Sequence, residues 1–146
     1  MKKFIGLLVL CLMMSQSVAG ELHTLKLSLA KFKQVTGTVH YQILDCSNVA
    51  SSWEKLPNLL TQQVAVSASS LEQSTSLQAG SYCVRFFQDL NGNGELDLAA
   101  SSIPKEPVGF SNNPNLMFGQ PSPEDTVFEL NQDSDIRIKV NNKKRR

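Results

Sequence analysis

Tyr82-Cys83-Val84-Arg85-Phe86-Phe87 runs through Gln88 into Asp89-Leu90-Asn91-Gly92-Asn93-Gly94-Glu95-Leu96-Asp97. In an extended chain successive side chains point to opposite faces, so Tyr82, Val84 and Phe86 share one face and Cys83, Arg85 and Phe87 the other. Apolar bulk on both faces predicts a central strand over Ser81–Gln88. The Asn-Gly pairs that follow accept the positive φ angles that a chain reversal demands, so the strand ends in a tight loop.

Working outward, the same period of two recurs. Leu25, Leu27 and Leu29 alternate with Lys26 and Ser28, and Val35, Gly37, Val39, Tyr41 and Ile43 alternate with Thr36, Thr38, His40 and Gln42. Between Cys46 and Gln62 the pattern changes, with Trp53, Leu56, Leu59 and Leu60 at roughly helical spacing around Pro57, which predicts a long connection holding a short helix. Extended patterning returns at Gln63–Ser67, at Thr75–Leu77, at Thr126–Leu130 and at Asp135–Val140. Residues Ala99 to Asp125 carry Pro104, Pro107, Pro114, Pro121 and Pro123, which excludes regular helix and central strand there. An irregular stretch of that length inside a domain is more often functional than idle. About seven strands, few helices and one long ordered loop predict an all-β fold, a single antiparallel β-sandwich.

The N-terminus bears on compartment. Lys2 and Lys3 precede the apolar run Phe4–Met14, and Ser17 and Ala19 place small residues before Gly20, the pattern of a secretory signal peptide over residues 1–19. Eleven residues are too few to cross a hydrocarbon core of about 30 Å, so cleavage leaves no membrane span. The expected mature chain has a β-sandwich domain over residues 20–140 and a basic tail at 141–146, and its expected location is periplasmic or secreted. The whole chain has formal charge +1, but loss of two lysines leaves 12 basic against 13 acidic residues, a net charge of −1. Nucleic-acid binding rests on many contacts from Lys and Arg to phosphates, so this balance argues against it. Cys46 and Cys83 would remain in an oxidising compartment, either bonded as a disulfide or as two small buried hydrophobes.

The ordered string Gly80-Ser81-Tyr82, Asp89 to Asp97, Ile103 to Glu106, Gly109 to Asn112, Phe118-Gly119-Gln120-Pro121 and Glu124-Asp125 resembles the bacterial family called domain of unknown function 2141. The similarity spans Leu22 to Val140. It implies export and a prealbumin-like sandwich, of the transthyretin or carboxypeptidase-regulatory type, and it implies no activity. Two departures flank the loop: Leu98–Ser102 is more apolar than the family pattern, and Pro123 replaces a usual aromatic residue.

Side-chain oxygens at alternate positions of a glycine-bearing loop suit a hard cation. Asp89, Asn91, Asn93, Glu95 through its carbonyl, and Asp97 are the candidate metal ligands, with Glu106, Glu124 and Asp125 as completing ligands if the proline-rich segment folds back. Ala100 stands where a bidentate acid would close an EF-type loop, so any calcium site is weak, about 10⁻⁴ to 10⁻³ M. A bare strand-ending turn explains Gly92 and Gly94 equally well. Phe110, Asn112, Asn113 and Phe118 are the candidate ligand-binding residues, and the expected partner is an envelope protein or a glycan. The leading expectation is therefore a non-enzymatic binding or accessory module with a weak calcium loop. The alternatives are a purely structural envelope domain and a hydrolase using loop carboxylates. Gly109–Asn113 lacks the second glycine of a nucleophile elbow. His23 and His40 show no metal-ligand spacing with cysteine.

Overall fold

The computed structural model describes residues 20–49 and 52–142. The expected leader at 1–19, and the tail beyond Asn142, lie outside the described residues. Among the described residues eight strands form: β1 (Leu22–Ala30), β2 (Thr38–Asp45), β3 (Asn58–Ala65), β4 (Ser70–Gln78), β5 (Gly80–Asp89), β6 (Val108–Phe110), β7 (Phe128–Leu130) and β8 (Ser134–Lys139). They make two sheets, one ordered β4-β1-β8 and the other β3-β2-β5-β6, with β7 also paired to β5. The fold is an all-β sandwich.

The alternation seen in the sequence sets which face of each strand meets the other sheet. Leu25, Leu27 and Leu29 of β1, Val39, Tyr41 and Ile43 of β2, and Tyr82, Val84 and Phe86 of β5 are buried in one cluster with Leu130 and Ile138. This is the core between the layers. Each such side chain stabilises the fold by about 1.5 to 3 kcal/mol relative to exposure.

The opposite face of β5 carries a second cluster. Cys83 packs there with Cys46, Trp53, Leu56, Val108 and Phe110, and Phe87 and Leu96 lie against them. This is why both faces of β5 are apolar: the long segment after it folds over its outer side. Central placement of β5 follows, with β2 along one edge and β6 and β7 sharing the other.

Three details differ from the sequence reading. The sandwich is not wholly antiparallel, because β1 pairs β8 in parallel, Leu27 beside Ile136. Parallel neighbours need a long connection, and nearly the whole domain separates these two. Leu59 and Leu60 belong to β3, not to a helix; among the described residues of that connection the one helical turn is a 3₁₀ turn at Trp53–Lys55. Pairing with β2 on one sheet edge overrides the local helical spacing, and Pro57 already ends the turn. Finally, the proline-rich stretch contributes a three-residue strand, β6, confined to the sheet margin.

Candidate functional site

Asp89 ends β5 opposite Thr38 and its side chain is buried, 2% exposed. Its two carboxylate oxygens accept from the backbone N–H groups of Gly92 (2.7 Å) and Gly94 (2.8 Å). Both glycines have positive φ, 77° and 79°, which aims their N–H groups back at the strand end. His40 Nε2 lies 3.5 Å from the same carboxylate. Burial pushes the Asp89 pKa up, but the bonds from Gly94 and Gly92, with His40, outweigh it and hold the group below its ordinary value.

The outer half of the loop closes on Asp97. Its carboxylate accepts from the side-chain amides of Asn91 and Asn93. The carbonyl oxygens of those amides accept from the backbone N–H groups of Asn93 (3.1 Å) and Glu95 (3.0 Å). Glu95 itself points to solvent. The chain then turns back, with Lys105 N–H bonded to Asp97 O at 2.8 Å, and this returns Glu106 to the loop. Glu106 is buried, and its oxygens accept from Leu90 N–H (2.8 Å) and Asp97 N–H (3.2 Å). It ties both ends of the loop together.

Thus Asp89, Asn91, Asn93, Asp97 and Glu106 come together, but Glu124 and Asp125 do not. These two lie in a 3₁₀ turn at Pro123–Thr126 beside Cys83, six residues or about 20 Å along β5 from Asp89. Asp125 accepts there from the Ser122 hydroxyl and N–H, in a capping box. Among the described residues no group of three or more His, Cys, Asp or Glu is arranged to hold a metal ion.

Two of the candidate ligand-binding residues are occupied by the fold. Asn112 and Asn113 have positive φ, 64° and 51°. Asn112 donates to Val127 O, while Asn113 donates to Arg137 O (3.0 Å) and accepts from Lys139 N–H (2.7 Å). Asn113 thereby stitches the turn after β6 to strand β8 of the other sheet, so its amide is spent on architecture. Ser111 is equally committed: its buried hydroxyl donates to Thr126 O and accepts from Val84 N–H at 3.0 Å.

The other two aromatics line a groove. Phe110 is buried in its wall, while Phe118 is 94% exposed at its rim beside Met117, 65% exposed. The groove, of about 1010 Å³, lies on the outer face of the five-stranded sheet and is overhung by the segments around residues 96–104 and 115–120. His40 and Gln42 of β2, Gln63 of β3 and Arg85 and Phe87 of β5 form its floor. Arg85 Nε donates to Gln42 Oε1 at 2.8 Å, and its guanidinium stands 5.0 Å from the Trp53 ring centre. His40 stacks on Phe87 with centroids 4.8 Å apart. These floor residues escape a reading of the sequence because three strands must be set in register to assemble them. Arg85 alone left a signal, as a cation between Cys83 and Phe87 on a strand face otherwise apolar.

Fold and site together define a β-sandwich domain with an Asx-rich loop anchored by a buried glutamate and an open groove on one sheet. Residues 28–139 match the family described as an uncharacterised protein conserved in bacteria, domain of unknown function 2141, and the chain belongs to that family. No curated protein and no solved structure matches it.

Proposed function

We propose that the protein is an exported, non-enzymatic binding module of the bacterial cell envelope, and that its ligand lies in the groove over the outer face of β2, β3 and β5. The observation that carries this reading is the groove itself. At about 1010 Å³ it stands at the upper end of the roughly 300–1,000 Å³ typical of ligand pockets, and it pairs aromatic and aliphatic surface with a few hydrogen-bonding groups. Phe118, a large apolar side chain almost wholly in water at the rim, is a natural contact for an occupant. Export is supported by the leader-like pattern at residues 1–19 and by the disulfide between Cys46 and Cys83. No helix among the described residues is long and apolar enough to cross a membrane.

A hydrolase gains little support from the loop, since Asp89 and Glu106 both spend their oxygens on backbone N–H groups. A weak calcium ion at 89–97 is part of the proposal, and what supports it is the alternation of oxygen-bearing side chains at Asp89, Asn91, Asn93 and Asp97. Such an ion would draw on amide and backbone oxygens as much as on charge, which is the reason for expecting weak affinity.

The groove is tested by screening oligosaccharides, peptides and small amphiphiles with backbone amide NMR shifts as readout. Ligands are expected to move the resonances of Gln42, Arg85, Phe87 and Phe118 and to leave β1, β4 and β8 unmoved. Phe118→Ala should weaken the best of them about ten-fold, the worth of one aromatic contact. Hits that map to the three-stranded sheet would overturn the reading.

A further inference from the structure

The two halves of the groove differ in chemistry, and Arg85 stands on the boundary between them. On the β2 and β3 side the lining is Gln42, Thr61 and Gln63, all hydrogen-bonding. On the other side Leu96, Leu98, Ile103, Leu116 and Met117 form an aliphatic wall, with the polar Ser102, Asn115 and Gln120 beside them. Arg85 is half-buried, and among the described residues no carboxylate lies within ion-pair distance of it. Gln42 takes only its Nε–H, which leaves the paired Nη edge of the guanidinium, the edge that matches a carboxylate in bidentate fashion. Glu54 also lines the groove and its charge acts on Arg85, but it is exposed and beyond ion-pair distance, and Glu106 is held by the loop N–H groups. A half-buried cation whose counter-charge, Glu54, stands in water and beyond ion-pair distance is complemented better by an anion seated directly on it.

From this juxtaposition we infer that the groove takes a small amphipathic carboxylate, with its anionic head on Arg85 and its apolar body along the wall of Leu96, Leu98 and Leu116. The inference rests on the groove being the binding site and names the chemistry of its occupant. A glycan fits the aliphatic stretch of the wall poorly, because hydroxyls set against Leu96, Leu98, Ile103 and Leu116 would lose water and gain no hydrogen bonds there.

The probes are octanoate, octanol and acetate, titrated into the protein with calorimetry and the emission of Trp53, the single tryptophan, as readouts. Because the Arg85 guanidinium lies over the Trp53 ring, a head group on Arg85 should shift that emission. Octanoate is expected to bind at least about ten-fold more tightly than octanol, and acetate not to bind at millimolar concentration. Arg85→Gln should bring octanoate down to the level of octanol, and Arg85→Lys should fall between, with thermal unfolding showing both variants folded. The comparison of octanoate with octanol needs no variant, so it stands even if Arg85→Gln fails to fold. Equal binding of octanol and octanoate at the groove resonances overturns the anionic head while leaving the groove as a binding site. Absence of binding by both overturns the amphipathic ligand, and the wider screen then judges the groove by itself.

Discussion

Asp89 shows what a single carboxylate does when it is buried at a strand end. Its neighbours are N–H groups, so the charged form is the one the fold holds, and its pKa lies below the ordinary value. A group with a depressed folded pKa adds stability that is complete above the unfolded value, about 3.9, and is lost as pH falls from there through the lowered one. Asp89→Asn removes the charge that titrates. The melting temperatures of the parent and this variant should therefore differ by their full amount above about pH 5 and draw together only as pH falls below about 4. A gap that stays constant with pH would show that Asp89 contributes only shape. At this scale the sequence marks the residues of the loop, and the fold gives their oxygens partners of its own. Alternating oxygens marked Asp89, Asn91, Asn93 and Asp97, but the partners of those oxygens in the fold are backbone and amide N–H groups, which a pattern of residue types does not distinguish from a cation. Asn112 and Asn113 carry the same ambiguity, since amides that suit a ligand also suit orphan carbonyls.

Among the elements, β5 was the most legible, because its two apolar faces report two packing layers directly. β3 was the least, its start hidden by a spacing of leucines that also fits a helix. The 89–97 loop is best treated as an element too, closed at both ends by Glu106. Calcium titration by calorimetry is expected to give a dissociation constant of about 10⁻⁴ to 10⁻³ M, abolished in Asp89→Ala, Asp97→Ala. No heat at millimolar calcium in the parent would leave the loop as a self-bonded turn. Glu124 and Asp125 should be irrelevant to that titration, since they sit at the other end of β5. Proximity in sequence to the proline-rich segment made them candidates; the 3₁₀ turn beside Cys83 removed them.

For the whole molecule, the sulfurs of Cys46 and Cys83 are joined, linking the residue just after β2 to the middle of β5 across 37 residues of chain. A cross-link of that span removes loop-closure entropy from the unfolded chain worth about 3 to 4 kcal/mol. Urea unfolding of Cys46→Ala, Cys83→Ala should show a loss of that size, and an unchanged midpoint would place the stability of the domain elsewhere. The layers of the sandwich were readable from periodicity, whereas the order of strands within each sheet was not. Period two says which face is buried but not which strand lies alongside, and the parallel pairing of β1 with β8 joins segments about as far apart as the domain allows. That pairing also governs how the molecule is made. Emerging from a ribosome or a translocation pore, β1 can meet β4 early, but its other edge stays open until residues 134–139 arrive. Until then the unpaired backbone edge of a leucine-rich strand is a template for association with other chains, so the last strand to appear is also the one that ends the risk of aggregation.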